Sequence, residues 1–212
     1  MKLYSYYLSS AAYRVRIALN LKSVEHELTS IHLRHGDHKQ ADYKDLNPQG
    51  LVPALGLSGA AEGTVIPQSM AILDYIEEVY PDPPLLPEHP VSRARVRAVA
   101  DNIACDIHPL NNLRVLQYLR NELGQDEDAV TAWYHHWLKA GFDGVEQEIE
   151  PGPYCFGDTP TLADVCLVPQ LYNARRFKFD LEPYPKIRAA DEACARLEAF
   201  DKAYPANQPD AE

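Results

Sequence analysis

Hydrophobic periodicity changes character along the chain. Residues 2–7 (KLYSYY) are rich in aromatic residues and predict a strand. Residues 11–22 then place Val15, Ala18 and Leu19 on one side and Arg14 and Arg16 elsewhere, the spacing of an amphipathic helix. Ser9 and Ser10 stand where its N-cap belongs. Residues 26–33 (HELTSIHL) alternate apolar with polar and predict a second strand, and residues 39–46 a short helix. Residues 51–55 (LVPAL) and 64–66 (TVI) are two short β-type runs, and residues 69–79 (SMAILDYIEEV) return to the helical period.

From residue 91 onward every periodic stretch is helical. Residues 91–123 form one long pattern, which Pro109 must bend or break. Residues 126–149 form another, started by acids and stopped by Pro151 and Pro153. Thr161 and Asp164 have the spacing of a capping box, opening an apolar helix through Tyr172. Two short helices are predicted at 184–187 and 192–203, and a disordered tail at 205–212. Between the two regimes lie Pro81, Pro83, Pro84, Pro87 and Pro90, which can neither continue a helix nor enter a central strand. The expectation is a domain at 1–80, a linker at 81–90 and an all-helical domain at 91–212. The β-α-β unit followed by a hairpin and a helix is a thioredoxin-like arrangement, giving an α/β plus all-α architecture.

Charge narrows the function classes. The 212 residues carry 20 bases and 31 acids, a net charge of -11, and an acidic surface repels nucleic acid and anionic lipid. The excess is uneven: residues 1–80 hold seven bases and nine acids, whereas residues 81–212 hold 13 and 22. The four cysteines (105, 155, 166 and 194) lack CxxC spacing and read as reduced thiols. With no signal-peptide pattern and no long apolar span, the expected location is cytoplasmic and away from membranes.

Several residues are candidates for chemistry, each with a plainer alternative. Ser9 and Ser10 could simply cap a helix. The same helix start offers orphan N–H donors and a partial positive charge to a thiolate. Val52-Pro53 is either an edge strand or a cis-proline turn that leaves the Val52 backbone to pair with an extended peptide. Gln68 and Ser69 open a second helix, where a carboxylate could sit. Together these describe a site for a short anionic peptide carrying a thiol. His32, His35 and His38 are three apart, but no carboxylate pattern accompanies them, so a metal is not expected. The adjacent His135 and His136 cannot share a ligand. His108, before the helix-bending Pro109, is a candidate cavity residue. Asp164 is explained by the capping box, and Arg175-Arg176 by the C-terminal dipole of a helix.

The run from Ser5 to Lys22 resembles the zeta class of glutathione transferases. So do Leu46-Asn-Pro48, Leu51-Val-Pro53, Ile66-Pro-Gln-Ser69, Ile107-His-Pro-Leu-Asn-Asn112, Gly157-Asp158, Leu162-Ala-Asp164, Leu167-Val-Pro-Gln170, Arg176-Phe and Gln208-Pro-Asp210, in order along the whole chain. The resemblance implies a thioredoxin-like glutathione-binding domain joined to a helical domain, working as a homodimer. It implies that Ser9 and Ser10 stabilise the glutathione thiolate, with Ala11 and Pro53 beside them. Val52 would pair with the peptide backbone, Gln68 and Ser69 hold its γ-glutamyl end, and His38 lie near its glycyl end. His108 and Asn112 would line the site, and Arg176 would bind a substrate carboxylate. Two positions depart from the class: Ala11 replaces a common cysteine and Leu8 a common arginine, while Arg114 offers another cation. The activity implied is glutathione-dependent cis–trans isomerisation of a small dianionic dicarboxylate, maleylacetoacetate, with maleylpyruvate as the alternative. Conjugation or dehalogenation of small α-halo acids is a further possibility. A non-catalytic interaction module on this fold is disfavoured by the retention of Ser9, Ser10, Pro53, Gln68 and Ser69.

Overall fold

A computed structural model describes all residues, 1–212, and divides them into two compact units. The first comprises Met1–Pro84 and Arg196–Glu212; the second comprises Leu85–Ala195.

In the first unit four strands, β1 (Lys2–Ser5), β2 (Glu27–Ser30), β3 (Ala54–Gly56) and β4 (Val65–Pro67), form a sheet of order β2-β1-β3-β4. β1 runs parallel to β2 and antiparallel to β3, and β4 runs antiparallel to β3. The β1–β2 pair is joined by helix α1 (Ser10–Leu21), as a parallel pair requires. Helices α2 (Ala41–Leu46) and α3 (Ser69–Val79) complete the expected order. Leu3 and Leu55 from the sheet, Val15 and Leu19 from α1, and Ile72 and Ile76 from α3 form the core. Burial of such side chains is worth about 1.5–3 kcal/mol each.

Sequence and structure part company on α1. Nine of its twelve residues are buried, including Arg14 and Arg16, so it is no surface helix with two basic residues facing water. The end of the chain differs too. Helix α10 (Glu198–Ala203) packs on α1, and residues 205–212 form no loose tail. Gln208 is buried, its side-chain amide donating to the Lys202 and Tyr204 carbonyls at 2.8 and 2.9 Å. Asp210 reaches the Tyr7 N–H at 3.1 Å. The final seventeen residues therefore belong to the first unit rather than to the helical half. The proline segment is also less linker-like than expected. Lys22 Nζ fastens the Tyr80 and Pro83 carbonyls at 2.6 and 2.9 Å and pairs with Glu77 at 2.7 Å. Leu85 and Leu86 are buried in the second unit.

That second unit is helical: α4 (Pro90–Asp101), α5 (His108–Leu110), α6 (Leu113–Asn121), α7 (Glu127–Glu148), α8 (Leu162–Arg176) and α9 (Pro185–Cys194). The expected break near Pro109 is a π-helical turn over Asn102–Ile107. The wider turn precedes a proline that cannot donate to the helix ladder. Ile107 lies against Gly141 of α7, where a Cβ would come within 2.2 Å of its side chain. Helix α8 is central, with eleven of fifteen residues buried, and extends beyond Tyr172 to Arg176. The last predicted helix, 192–203, is instead split by residues 195–197, α9 taking the part up to Cys194.

The capping box of α8 is realised by Asp164, fully buried. One carboxylate oxygen accepts the Thr161 N–H and hydroxyl at 2.8 and 2.9 Å, the other the Cys155 N–H at 2.8 Å. Burial pushes its carboxyl above the ordinary value against the pull of these donors. Asp164→Ala leaves buried donors without an acceptor, so urea unfolding should show a loss of about 3 kcal/mol or more. A loss under about 1 kcal/mol would contradict this role.

Candidate functional site

In the first unit, the chain leaves β1 through a tight turn in which the Ser9 N–H donates to the Tyr6 carbonyl at 2.9 Å. Ser9 is the N-cap of α1, its Oγ accepting the Ala12 N–H at 3.2 Å. A serine hydroxyl that accepts at its oxygen still has its hydrogen to give. Ser9 is half-buried, whereas Ser10 is buried. The Ala11 N–H has no partner in the protein. The helix start thus presents one hydroxyl, one unspent backbone donor and the positive end of the helix dipole.

The Val52–Pro53 peptide is cis, in agreement with the turn alternative. Its approach is held by Leu51, whose carbonyl accepts from the Tyr43 hydroxyl at 2.6 Å and the Asn47 amide at 2.8 Å. Val52 itself makes no backbone hydrogen bond within the protein, and β3 begins only at Ala54. A strand-like residue with both backbone groups unspent can receive an extended peptide.

Gln68 precedes α3 with φ at 71°, left-handed backbone that a non-glycine residue adopts at a cost. Its side-chain amide donates to Gln49 Oε1 at 2.7 Å. Ser69 begins α3 and is buried, and Arg14 Nη1 donates to its Oγ at 3.2 Å. A buried guanidinium therefore backs the second helix start, a charge that the sequence periodicity had assigned to another face. Gly50, at φ +60°, lies where a Cβ would come within 2.7 Å of the His38 carbonyl oxygen, bringing the loops at 38 and 50 into contact. The His38 Nδ1 is buried without a partner. Burial first, then Lys39, holds the His38 imidazole below its ordinary pKa of 6.5, leaving it neutral.

His32 and His35 were expected to lack a carboxylate neighbour, and the structure corrects this. Their ligand atoms and those of Glu212 lie within 4.8 Å of one another. The His35 N–H donates to His32 Nδ1 at 3.1 Å, so Nε2 carries the hydrogen that faces Glu212 at 2.9 Å. That tautomer leaves neither His32 nitrogen a lone pair for a cation.

The remaining candidates belong to the second unit. His108 begins α5, and its Nε2 accepts from Asn112 Nδ2 at 3.3 Å. Asn112 also caps α6, its Oδ1 accepting the Arg114 N–H at 3.1 Å. Its side chain thus has structural duties that the motif alone did not reveal. Arg114 is exposed in the first turn of α6, where the dipole disfavours a cation. Arg175 is committed to Asp191. Arg176 ends α8 exposed, its Nη1 on Asn173 Oδ1 at 3.1 Å, with no carboxylate partner.

Comparison with known proteins agrees with this geometry. The family model for the glutathione S-transferase N-terminal domain matches residues 8–79, and that for the C-terminal domain matches residues 137–203. The chain is 53% identical over 215 residues to a maleylpyruvate isomerase of a Ralstonia species, covering 100% of both. The chain belongs to the glutathione S-transferase family. It is 50% identical to a maleylacetoacetate isomerase of Pseudomonas aeruginosa, covering 99% of this chain and 98% of that one. A solved holo structure of maleylpyruvate isomerase, described as a bacterial zeta-class glutathione S-transferase, superposes with a TM-score of 0.95 at 52% identity and 100% coverage of both chains. The transferase fold, a thioredoxin-like unit and a helical unit, is as the sequence implied. No helix is long and apolar enough to cross a membrane.

The neutral His38 has a measurable consequence. Its folded pKa lies below that of the unfolded chain, so the unfolded state takes up the proton first as pH falls through about 6.5. Stability is lost from there down to the folded pKa. Thermal melts at pH 7.5 and 5.5 should show a smaller acid-induced decrease for His38→Gln than for the parent. An equal decrease would contradict the assignment.

Proposed function

We propose that this transferase is a glutathione-dependent cis–trans isomerase of maleylacetoacetate, giving fumarylacetoacetate. The observation that carries the proposal is the start of α1, which brings together the Ser9 hydroxyl, the unspent Ala11 N–H and the positive end of the helix dipole, a set suited to a thiolate. Glutathione fits the rest of the first unit. The unspent Val52 backbone groups match its cysteinyl peptide, and Ser69 at the start of α3, backed by Arg14, suits its γ-glutamyl carboxylate. Gln68 adds a side-chain amide beside that end. With Nδ1 buried and unpartnered, neutral His38 can keep its hydrogen on Nε2 and donate it to the glycyl carboxylate.

When bound, glutathione supplies the thiolate that adds to the substrate double bond, allows rotation about the resulting single bond and is regenerated on elimination. The protein's part is to bind, orient and balance charge. Ser9 donates to the sulfur and, with the helix start, lowers the thiol pKa from about 8.5 towards neutrality. Ser10, the other serine proposed for the thiolate, is buried where Ser9 is half-buried, which favours Ser9 as the donor. Ala11 contributes its backbone and no competing thiol. Arg176 binds a substrate carboxylate through a guanidinium that no protein carboxylate occupies, and Arg114 a second one. A cation kept against the dipole of α6 supports that role for Arg114. His108 and Asn112, joined by a hydrogen bond, line the substrate side. The protein works as a homodimer in the cytoplasm, a reading supported by its class and by four cysteines outside any disulfide.

Maleylpyruvate is the alternative substrate, favoured by the 53% identity to an isomerase of that name. Both substrates should be offered with glutathione at a small fraction of their concentration. Isomerisation predicts many turnovers per glutathione; consumption in equal amounts would overturn it in favour of conjugation or dehalogenation. Ser9→Ala should lower kcat about 10- to 100-fold, and Ser10→Ala less. Arg176→Ala should lower kcat/KM for the dicarboxylate by a similar factor, leaving the KM for glutathione within about twofold.

A further inference from the structure

The Gln208-Pro209-Asp210 segment has no part in the chemistry above, yet it reaches the turn on which that chemistry rests. One oxygen of Asp210 accepts the Tyr7 N–H at 3.1 Å and the Ser30 hydroxyl at 3.0 Å. The other oxygen is buried without a partner, a costly placement for a carboxylate. Tyr7 is the second residue of the turn Tyr6–Ser9, whose carbonyls at Tyr6 and Tyr7 receive Arg16 at 3.4 and 3.1 Å. The turn is therefore gripped from its carbonyl side by Arg16 and from its N–H side by Asp210. Gln208 anchors the segment that carries Asp210 to the Lys202 and Tyr204 carbonyls.

We propose that Asp210 is a positioning residue for Ser9: it fixes the Tyr6–Ser9 turn, and through it the hydroxyl and helix start that hold the glutathione thiolate. The proposal rests on the glutathione reading of the preceding subsection. It deepens that reading by making the end of the chain part of the thiolate site's support. The role is one of acceptor geometry rather than charge, since what Asp210 gives the turn is an oxygen that accepts from the Tyr7 N–H and the Ser30 hydroxyl. An asparagine, which keeps an acceptor oxygen, should substitute; an alanine should not.

Two measurements on the whole 212-residue chain decide it. The first needs no glutathione. Amide hydrogen exchange in residues 6–12 should quicken in Asp210→Ala and stay near the parent rate in Asp210→Asn, with residues 15–19 of α1 unchanged. The second is titration of the bound glutathione thiol by its thiolate absorbance, together with kcat and KM. Asp210→Ala should raise the thiol pKa by about one unit and lower kcat about tenfold, with the KM for glutathione within about twofold, while Asp210→Asn restores the parent values. Unchanged exchange in Asp210→Ala overturns the proposal. So does faster exchange with parental thiol pKa and kcat, which would reduce Asp210 to a stabilising contact. If the parent protein binds no glutathione, the functional reading falls and the proposal with it, whereas a parent that binds normally while Asp210→Ala is unaltered refutes the positioning role alone.

Discussion

A guanidinium buried from water must place its N–H groups on acceptors or cost several kcal/mol. Arg16, 2% exposed, meets that demand with the Ser5 hydroxyl and the carbonyls of Tyr6, Tyr7 and Ala203. Those acceptors come from the end of β1, the turn that follows it and α10. One side chain on α1 thereby joins the first strand, the first turn and the last helix. The turn it holds delivers Ser9 to the helix start, so the geometry of the proposed thiolate site descends from this buried cation.

The chemistry of the first unit owes little to net charge. The features proposed to hold glutathione there are two helix starts, a strand-like residue with an unspent backbone, a neutral imidazole and a guanidinium behind Ser69. Backbone dipoles and hydrogen bonds act over a few ångströms, whereas a charge of -11 acts on large polyanions and is screened for a small ligand. In the second unit Arg114 and Arg176 are both exposed and lack carboxylate partners, in contrast to Arg175 beside it, which is paired with Asp191. A net negative charge is thus compatible with the proposed small dianionic substrate.

Much of this was legible in the sequence, because periodicity and caps are local. The order of strands and helices in the first unit, the helix at 69–79, the break near Pro109 and the capping box of Thr161 and Asp164 all follow from neighbouring residues. What escaped depends on partners far along the chain. Arg14 and Arg16 look like the polar face of α1 until Ser69 and Ala203 supply acceptors 55 and 187 residues away. The tail looks disordered until Tyr7 and Ser30 receive Asp210, and His32 looks isolated until Glu212 arrives. In the site, the serines and Val52-Pro53 carried a local signal. The proposed preference for Ser9 over Ser10 rests on their burial and the capping bond to Ala12, neither of which is legible in the sequence.

The central claim is that the start of α1 makes a thiolate out of a thiol. Titrating the sulfur of glutathione bound to the unaltered protein tests it without any substrate. Half-deprotonation is expected at least one pH unit below the value of about 8.5 for a free cysteine thiol. A bound thiol that titrates at the free value would contradict it.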